Sequence, residues 1–565
     1  MRLFPVRLPK IFHVDISNVH HAAFWLSIFA LISGILGLFR DRLLAGMFGA
    51  SRSLDLYYAA FRVPDFVYTM MLFFAASTAI IPIFLSVKKD SGEDGKSGDL
   101  LGSLILFFGL LVSLSSLLVF FLMPKFASFL FPGFTPDEQG TVILLSRVLL
   151  LSPIFLGLSN ILSSVTQTFG RFFVYALSPV VYNLGIIIGV LFLYPLMGFQ
   201  GLGWGVVLGT FLHMAVQVPS VIKIGVRPSF KNLWSRELKK VIALSVPRTL
   251  GLATTQISLT VFTSIASVFA QGSISVFNFA TNLEYLPVTL IGLSYSVAVF
   301  PRLAALSISK AKDGFKENFS VAFRHIVFWA LPSAVLILVL RAQIVRVILG
   351  SGKFSWADTR LTAAVLSLLA FAVVLQSLFM LLVRAFYAEG ETYKPLIVNI
   401  ISAFLSAGSA FWLSKIILPG SAPADFLGSL LRISDISDIR VIALPLGVLI
   451  GNIFNLVFLF LLFKKVFGWY PDDGSRPSFL QVLSASLISG VTAYASLAFF
   501  TNFFDLDTFP GIFMQGLFSG LLGLVALIFA LWALGNRELF ELHASLVSKF
   551  SRKEQVPAPE PEKLP

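Results

Sequence analysis

Long apolar stretches alternate with short polar ones along the whole chain. Almost every apolar stretch is long enough to cross a bilayer, which takes about 20 helical residues. They fall at roughly 23–39, 55–86, 99–123, 142–168, 172–195, 202–222, 238–270, 273–300, 322–341, 360–388, 394–415, 440–463, 478–501 and 511–535. The pattern predicts an all-α polytopic membrane protein with about fourteen transmembrane helices. Residues 1–22 carry Arg2, Arg7 and Lys10 but no small-residue cleavage site, and read as an uncleaved cytoplasmic or interfacial start. Past 536, Leu539, Leu542, Leu546, Val547 and Phe550 recur among charges, as in an amphipathic helix on the inner surface. The closing VPAPEPEKLP is a Pro-rich segment expected to be disordered.

The polar positions inside the apolar runs repeat. With one constant offset Asp65, Ser77, Ala79 and Pro82 fall on Glu284, Ser296, Ala298 and Pro301, and with nearly the same offset Asn160, Pro179 and Asn183 fall on Gln376, Pro395 and Asn399. The copies lie six helices apart, an even number, so the repeat is parallel and its axis runs along the membrane normal. The expected organisation is an N-lobe at 23–222 and a C-lobe at 223–466, each of six helices. Two further helices at 478–535 and a cytoplasmic tail at 536–565 follow. Two pseudo-symmetric lobes around a central cavity are the plan of an alternating-access transporter.

Composition and charge narrow the class. Of the 565 residues 57% are apolar and 13% charged, against about 25% charged in soluble domains, which excludes a soluble enzyme and a nucleic-acid-coating chain. The formal net charge is +13. With both termini inside, most of the 42 Lys and Arg residues fall in inner segments, so the positive-inside rule accounts for most of that excess. The chain has no cysteine, hence neither disulfides nor thiolate chemistry.

Familiar catalytic signatures are absent. Gly95-Lys96-Ser97 has Asp90 where a P-loop needs its first glycine, and reads as a solvated loop. The six histidines have no metal-ligand spacing and no serine sits in a nucleophile elbow. GLGWGVVLG at 201–209 opens an apolar span and reads as close helix packing. The informative residues are charges at membrane depth, where an ion persists mainly if paired or facing a wet cavity. Arg40-Asp41-Arg42 closes the first span as either a cavity site or a membrane-edge cluster. Arg248, after Pro247, is read either as an anion-binding group or as a salt-bridge partner of Glu284 or Asp65. Asp65 and Glu284 occupy equivalent repeat positions, suited either to carrying a coupled Na⁺ or proton or to pairing with Arg62 or Arg248. Arg147 reads as structural. A planar guanidinium matches phosphate and pyrophosphate through two parallel hydrogen bonds, so the charges point to an anionic substrate.

The runs SGILGLFRDRLLAGMFGAS, LDLYYAAFRVPDF and AIIPIF, then RFFVYALSPVVYNLGIIIG, VFPRL and VRAFYAEGETYKP, resemble the MurJ (MviN) lipid II flippases over about residues 23–535. The resemblance implies a multidrug/oligosaccharidyl-lipid/polysaccharide exporter fold that flips undecaprenyl-pyrophosphate-linked peptidoglycan precursor across the bacterial inner membrane. It also implies a cationic cavity driven by ion gradients or membrane potential, and a groove at the last two helices for the polyprenyl tail. Arg40 and Asp41 match the family's Arg-Asp pair, Asp55 its acid at the start of helix 2, and Arg384 the arginine of its Arg-Ala-Phe-Tyr motif. The family's other cavity charges fall on Gly34, Tyr68, Phe73 and Asn282, marking a divergent member in which Arg248, Arg42 and Arg62 compensate or the headgroup differs.

The reading is therefore a lipid flippase, not an enzyme. Arg40, Arg248, Arg42 and Arg62 are expected to bind the pyrophosphate headgroup, Asp41, Asp55 and Arg384 to orient or gate, and Asp65, Glu284 and Asn282 to couple to an ion. No cofactor or metal is expected beyond a coupling Na⁺ or H⁺, or the membrane potential. Partners are lipid II or a related glycolipid, membrane lipids and cell-wall synthesis proteins, not nucleic acid. The alternatives are a flippase for O-antigen or capsule lipid-linked oligosaccharides, or a non-transporting scaffold in a cell-wall synthesis complex.

Overall fold

The computed structural model describes residues 19–72, 80–81, 83–86, 94–226, 228–230, 234–468 and 475–551. Regular structure among these residues is helical, without a strand, as expected for a chain that must satisfy its backbone polar groups inside a bilayer. Eleven helices among the described residues are long and apolar enough to cross a membrane. Three more expected spans fall on α1 (Val19–Phe48), α2 (Arg52–Leu72) and α8 (Arg236–Ser267), the helices that hold Arg40-Asp41-Arg42, Arg62 with Asp65, and Arg248. Fourteen crossings are thus not reached by length and apolarity alone.

The chain divides into two compact units, one of Met1–Leu286, Ile344–Leu369 and Thr392–Asn455, the other of Pro287–Gln343, Ala370–Glu391 and Leu456–Pro565. The first contains α1, α2, α3 (Asp94–Leu130), α4 (Pro136–Leu149), α5 (Leu151–Thr168), α6 (Phe172–Ile188), α7 (Phe199–Ala215), α8 and nearly all of α9 (Ser273–Pro287). Glycine sets how closely α6 and α7 approach: a Cβ on Gly185 or Gly205 would collide with the backbone of Gly209 or Gly189, so the glycine-rich run at 201–209 is a packing surface. Helix starts are capped locally, α4 by a reciprocal Thr135–Glu138 box and α8 by Ser235 accepting from the Leu238 N–H. Arg147 donates to the Phe120 carbonyl at 3.2 Å and lies over the Phe120 ring, a structural tie to α3. Gly95–Ser97, expected in a solvated loop, instead belong to the first turn of α3, with Ser97 buried. Just past this turn the Ser229 N–H donates to the Gly98 carbonyl at 2.9 Å.

The second unit holds α10 (Ser294–Ile308), most of α11 (Lys312–Leu349), the second half of α12 (Trp356–Ala388), the end of a later helix α15 (Ala443–Phe467), and α16 (Ser475–Phe500), α17 (Phe509–Ala533) and α18 (Arg537–Ser551). Between α12 and α15 run α13 (Tyr393–Ile416) and α14 (Ala422–Leu431), both in the first unit. Five phenylalanines, Phe315, Phe319, Phe386, Phe463 and Phe467, stack into one core. The hairpin of α16 and α17 is pinned by Ser489 donating to the Gly523 carbonyl at 2.7 Å. The expected amphipathic tail helix is α18. Its buried Glu538 takes Arg324 at 3.0 Å, Ser478 at 2.8 Å and Asn536 at 3.0 Å, which anchors the start of the tail to α11 and α16. The whole Pro-rich end, 556–565, lies outside the described residues, as do residues 1–18.

Candidate functional site

Within the first unit, three charged side chains from α1 and α2 converge on one stripe of α9. Ser275, Asn278 and Asn282 stand at i, i+3 and i+7, hence on one face of that helix. Asp55 meets the stripe at its start. One carboxylate oxygen accepts from the Gly272 N–H at 2.7 Å, the other from the Ser275 N–H at 2.8 Å and the Ser275 hydroxyl at 2.7 Å. These are donors left open at a helix N-terminus, where a negative charge also meets the favourable end of the helix dipole. Gly272, at φ +88, passes so close to Ala50 that a Cβ would strike the Ala50 carbonyl. The α1–α2 turn therefore rests directly on the α8–α9 turn.

One α-helical step deeper, Arg62 donates through Nε to the Thr263 hydroxyl at 2.8 Å and through Nη2 to the Asn278 side-chain oxygen at 2.8 Å. It makes no ion pair with Asp65 among the described residues, contrary to one of the pairings open from the sequence. At the far end of the stripe Asn282 donates to Asp41 Oδ2 at 2.9 Å, while Asp41 Oδ1 takes Arg40 Nε at 2.9 Å and Nη2 at 2.8 Å. Arg40 Nη1 reaches the Asn183 side-chain oxygen on α6 at 3.3 Å, and Asn183 in turn donates to the Ser33 hydroxyl at 3.1 Å. The result is a buried Arg–Asp pair bracketed by two asparagines. Asp41 is sealed, but the Arg40 side chain retains 23% of its exposure, so the pair is not closed off on the Arg40 side.

The other expected residues disperse. Arg42 turns away from Arg40 and donates to the Val347 carbonyl at 2.6 Å, at the C-terminal end of α11, where a cation complements the helix dipole. Asp65 lines a cavity of about 20 Å³ with Tyr68, Ser152, Tyr182 and Thr210, room for about one water molecule. Glu284 is 2% exposed, and its Oε1 has no hydrogen-bond partner among the described residues. Arg384 belongs to the second unit and lies over the Phe300 ring at 5.5 Å. The Arg248 side chain lies outside the described residues, as does that of Phe73. Among the described residues no cluster of three or more His, Asp or Glu side chains offers a metal site.

Asn183, Thr263, Ser275 and Asn278 were not singled out from sequence for this site, yet each holds one of its charges. The signal was partly present: Asn183 is a repeat position, and Asn278 stands one turn before Asn282. In the second unit an apolar groove of about 520 Å³ opens between α17 and α18, lined by Val525, Ile528, Phe529, Trp532, Phe540 and His543 among others.

Comparisons with known proteins bear on this geometry. The family model described as lipid II flippase MurJ matches residues 44–514. A lipid II flippase MurJ of Burkholderia cenocepacia is 25% identical over 499 residues, 85% of this chain and 91% of the relative. A probable lipid II flippase MurJ of Haemophilus influenzae is 30% identical over 403 residues, 67% of this chain and 78% of the relative. A solved structure of a lipid II flippase MurJ in an inward closed conformation superposes with a TM-score of 0.70 at 25% identity, covering 90% of this chain and 99% of that one. An inward-facing multidrug resistance MATE family transporter of the MOP superfamily shares the fold, with a TM-score of 0.61 at 17% identity over 79% of this chain and 98% of the other. This multi-pass membrane protein belongs to the lipid II flippase MurJ family.

Proposed function

We propose that this protein translocates lipid II, the undecaprenyl-pyrophosphate-linked peptidoglycan precursor, across the bacterial cytoplasmic membrane by alternating access, with both termini on the cytoplasmic side. The observation that carries the reading is the Arg40–Asp41 pair, held between Asn183 and Asn282 with the Arg40 side chain still partly exposed. A buried arginine needs an opposite charge. In the unloaded protein Asp41 supplies it, and a pyrophosphate, with its greater charge and a geometry matched to the guanidinium fork, competes for the same donors.

That exchange links binding to movement. When Arg40 turns to the substrate, Asp41 loses its cation, and the closed arrangement in which Asn282 holds that carboxylate against α9 now contains an uncompensated buried charge and becomes costly. The Asp55 cap at the other end of the stripe then bears more of the closure at what we take to be the outer face. Asp65 and Glu284 are the carboxylates we assign to a coupled Na⁺ or proton, with membrane potential as the other driving force. The polyprenyl chain, expected at the last two spans, α16 and α17, is suited instead by the apolar groove between α17 and α18. Arg248 and Arg384 remain in the proposal as headgroup and gating residues on the strength of sequence alone.

The test is complementation of a strain depleted of its own lipid II flippase. Growth on the wild-type chain is expected. An O-antigen-type flippase or a non-transporting scaffold would fail to restore it even when membrane abundance is matched.

A further inference from the structure

Arg62 stands in an unusual electrostatic position. It is 7% exposed, its two bonded nitrogens go to neutral acceptors, and among the described residues it forms no ion pair. Nη1 makes no hydrogen bond, yet it is not among the sealed unpartnered atoms. Its hydrogen-bond partners are neutral, and the acid one turn along α2, Asp65, acts on it through space without pairing, so a cation this buried still lacks a directly bonded anion, which is costly. The guanidinium borders a chamber of about 430 Å³ between α2, α3 and α8, otherwise lined by Phe66, Met70, Val119, Phe126, Phe129, Val261 and further apolar side chains, with Ser115 and Thr260 the exceptions. Phe129 and Ile257 at its rim are exposed, as are Leu114, Leu117, Leu118 and Phe121 on α3, which marks that helix as facing hydrocarbon.

The depth is informative. Arg62 lies ten residues along α2 from Arg52, about 15 Å at helical rise, and Arg52 pairs with Glu138 in the first turn of α4 at 3.2 Å. That distance is about half the hydrocarbon thickness of a bilayer. A soluble anion has no apolar route to such a site, whereas a lipid entering past α3 brings its own hydrocarbon to fill the chamber. One free nitrogen suits one phosphate, not a pyrophosphate fork. The site shares no residue with the Arg40–Asp41 pair and stands whether or not that pair binds lipid II.

We infer that the chamber between α2, α3 and α8 binds one anionic glycerophospholipid, its phosphate on Arg62 and its acyl chain against Phe66, Met70 and Val119. Native mass spectrometry of the full-length protein, titrated with phosphatidylglycerol, phosphatidylcholine or inorganic phosphate, tests it. One phosphatidylglycerol should be retained at about tenfold lower concentration than phosphatidylcholine, as a charged hydrogen bond in low dielectric implies. Arg62→Gln and the chamber-filling Val119→Trp should each abolish that preference, and Arg62→Lys should keep most of it. Equal retention of the two lipids by the wild type, or unchanged preference in both variants, would overturn the inference. Displacement of the lipid by inorganic phosphate as effectively as by phosphatidylglycerol would also overturn it, by showing a free-anion site. If Arg62→Gln does not yield folded protein, Val119→Trp and the phosphate competition decide.

Discussion

Arg40 and Arg62 are both arginines buried in the first unit, both within hydrogen-bonding reach of an asparagine, and they solve the problem of a buried charge in opposite ways. Arg40 has a carboxylate beside it and is partly open. Arg62 has a hydroxyl and an amide, and an apolar chamber in front of it. The difference teaches that charge at membrane depth is not one signal. A paired arginine can exchange its partner for a polyanion, whereas an arginine with neutral partners favours any single anion that arrives with its own hydrocarbon.

The comparison breaks most sharply at Asp41. Asp41→Ala strands Arg40 and should lower stability by about 3–5 kcal/mol, the cost of removing one member of a buried pair, read as thermal unfolding in detergent. Asp41→Asn keeps the shape and should fall between the two. Wild-type stability in Asp41→Ala would mean that water or another group already neutralises Arg40.

Next comes Asp55, which caps α9 and carries no buried cation in its own bonds. Asp55→Ala should cost about 1–2 kcal/mol, the range of a lost helix cap. Because the chain has no cysteine, a single cysteine placed at Ala50 or Ala270 reports directly on opening of that end. Its labelling should rise in Asp55→Ala, and unchanged labelling would remove Asp55 from the gate. For Arg62→Gln the expectation is a change within about 1 kcal/mol, because deleting a buried charge that has no bonded anion offsets the lost hydrogen bonds. A loss as large as that of Asp41→Ala would mean that Arg62 is paired in the membrane after all. Smallest is Arg42→Ala, which removes a cation from the end of α11 and should cost about 0.3–1 kcal/mol.

The helical, membrane-spanning fold and the family were legible because they rest on run length and on motif order, properties that survive divergence. The packing role of the glycines at 201–209 was legible for the same reason. What the Arg40–Asp41 pair leans on was not, since Asn183 and Asn282 lie far from it along the chain and meet it only through the crossing of α1, α6 and α9. Arg40 and Arg42 look interchangeable as near neighbours in sequence, but residues two apart on a helix point about 160° apart. One therefore faces the asparagines and the other the end of α11. Gly95–Ser97 reads as a loop because glycine and charge favour one, yet a polar, glycine-containing run can also open a long helix whose later residues are strongly apolar.

The central claim is that Arg40 receives the headgroup of a lipid this protein carries outward. It is tested most directly by measuring lipid II exposed on the outer face of spheroplasts from cells depleted of their own flippase, with this chain or Arg40→Ala expressed at matched abundance. The predicted result is exposure restored by the wild type and reduced to the depleted background by Arg40→Ala. Full exposure with Arg40→Ala would contradict the claim.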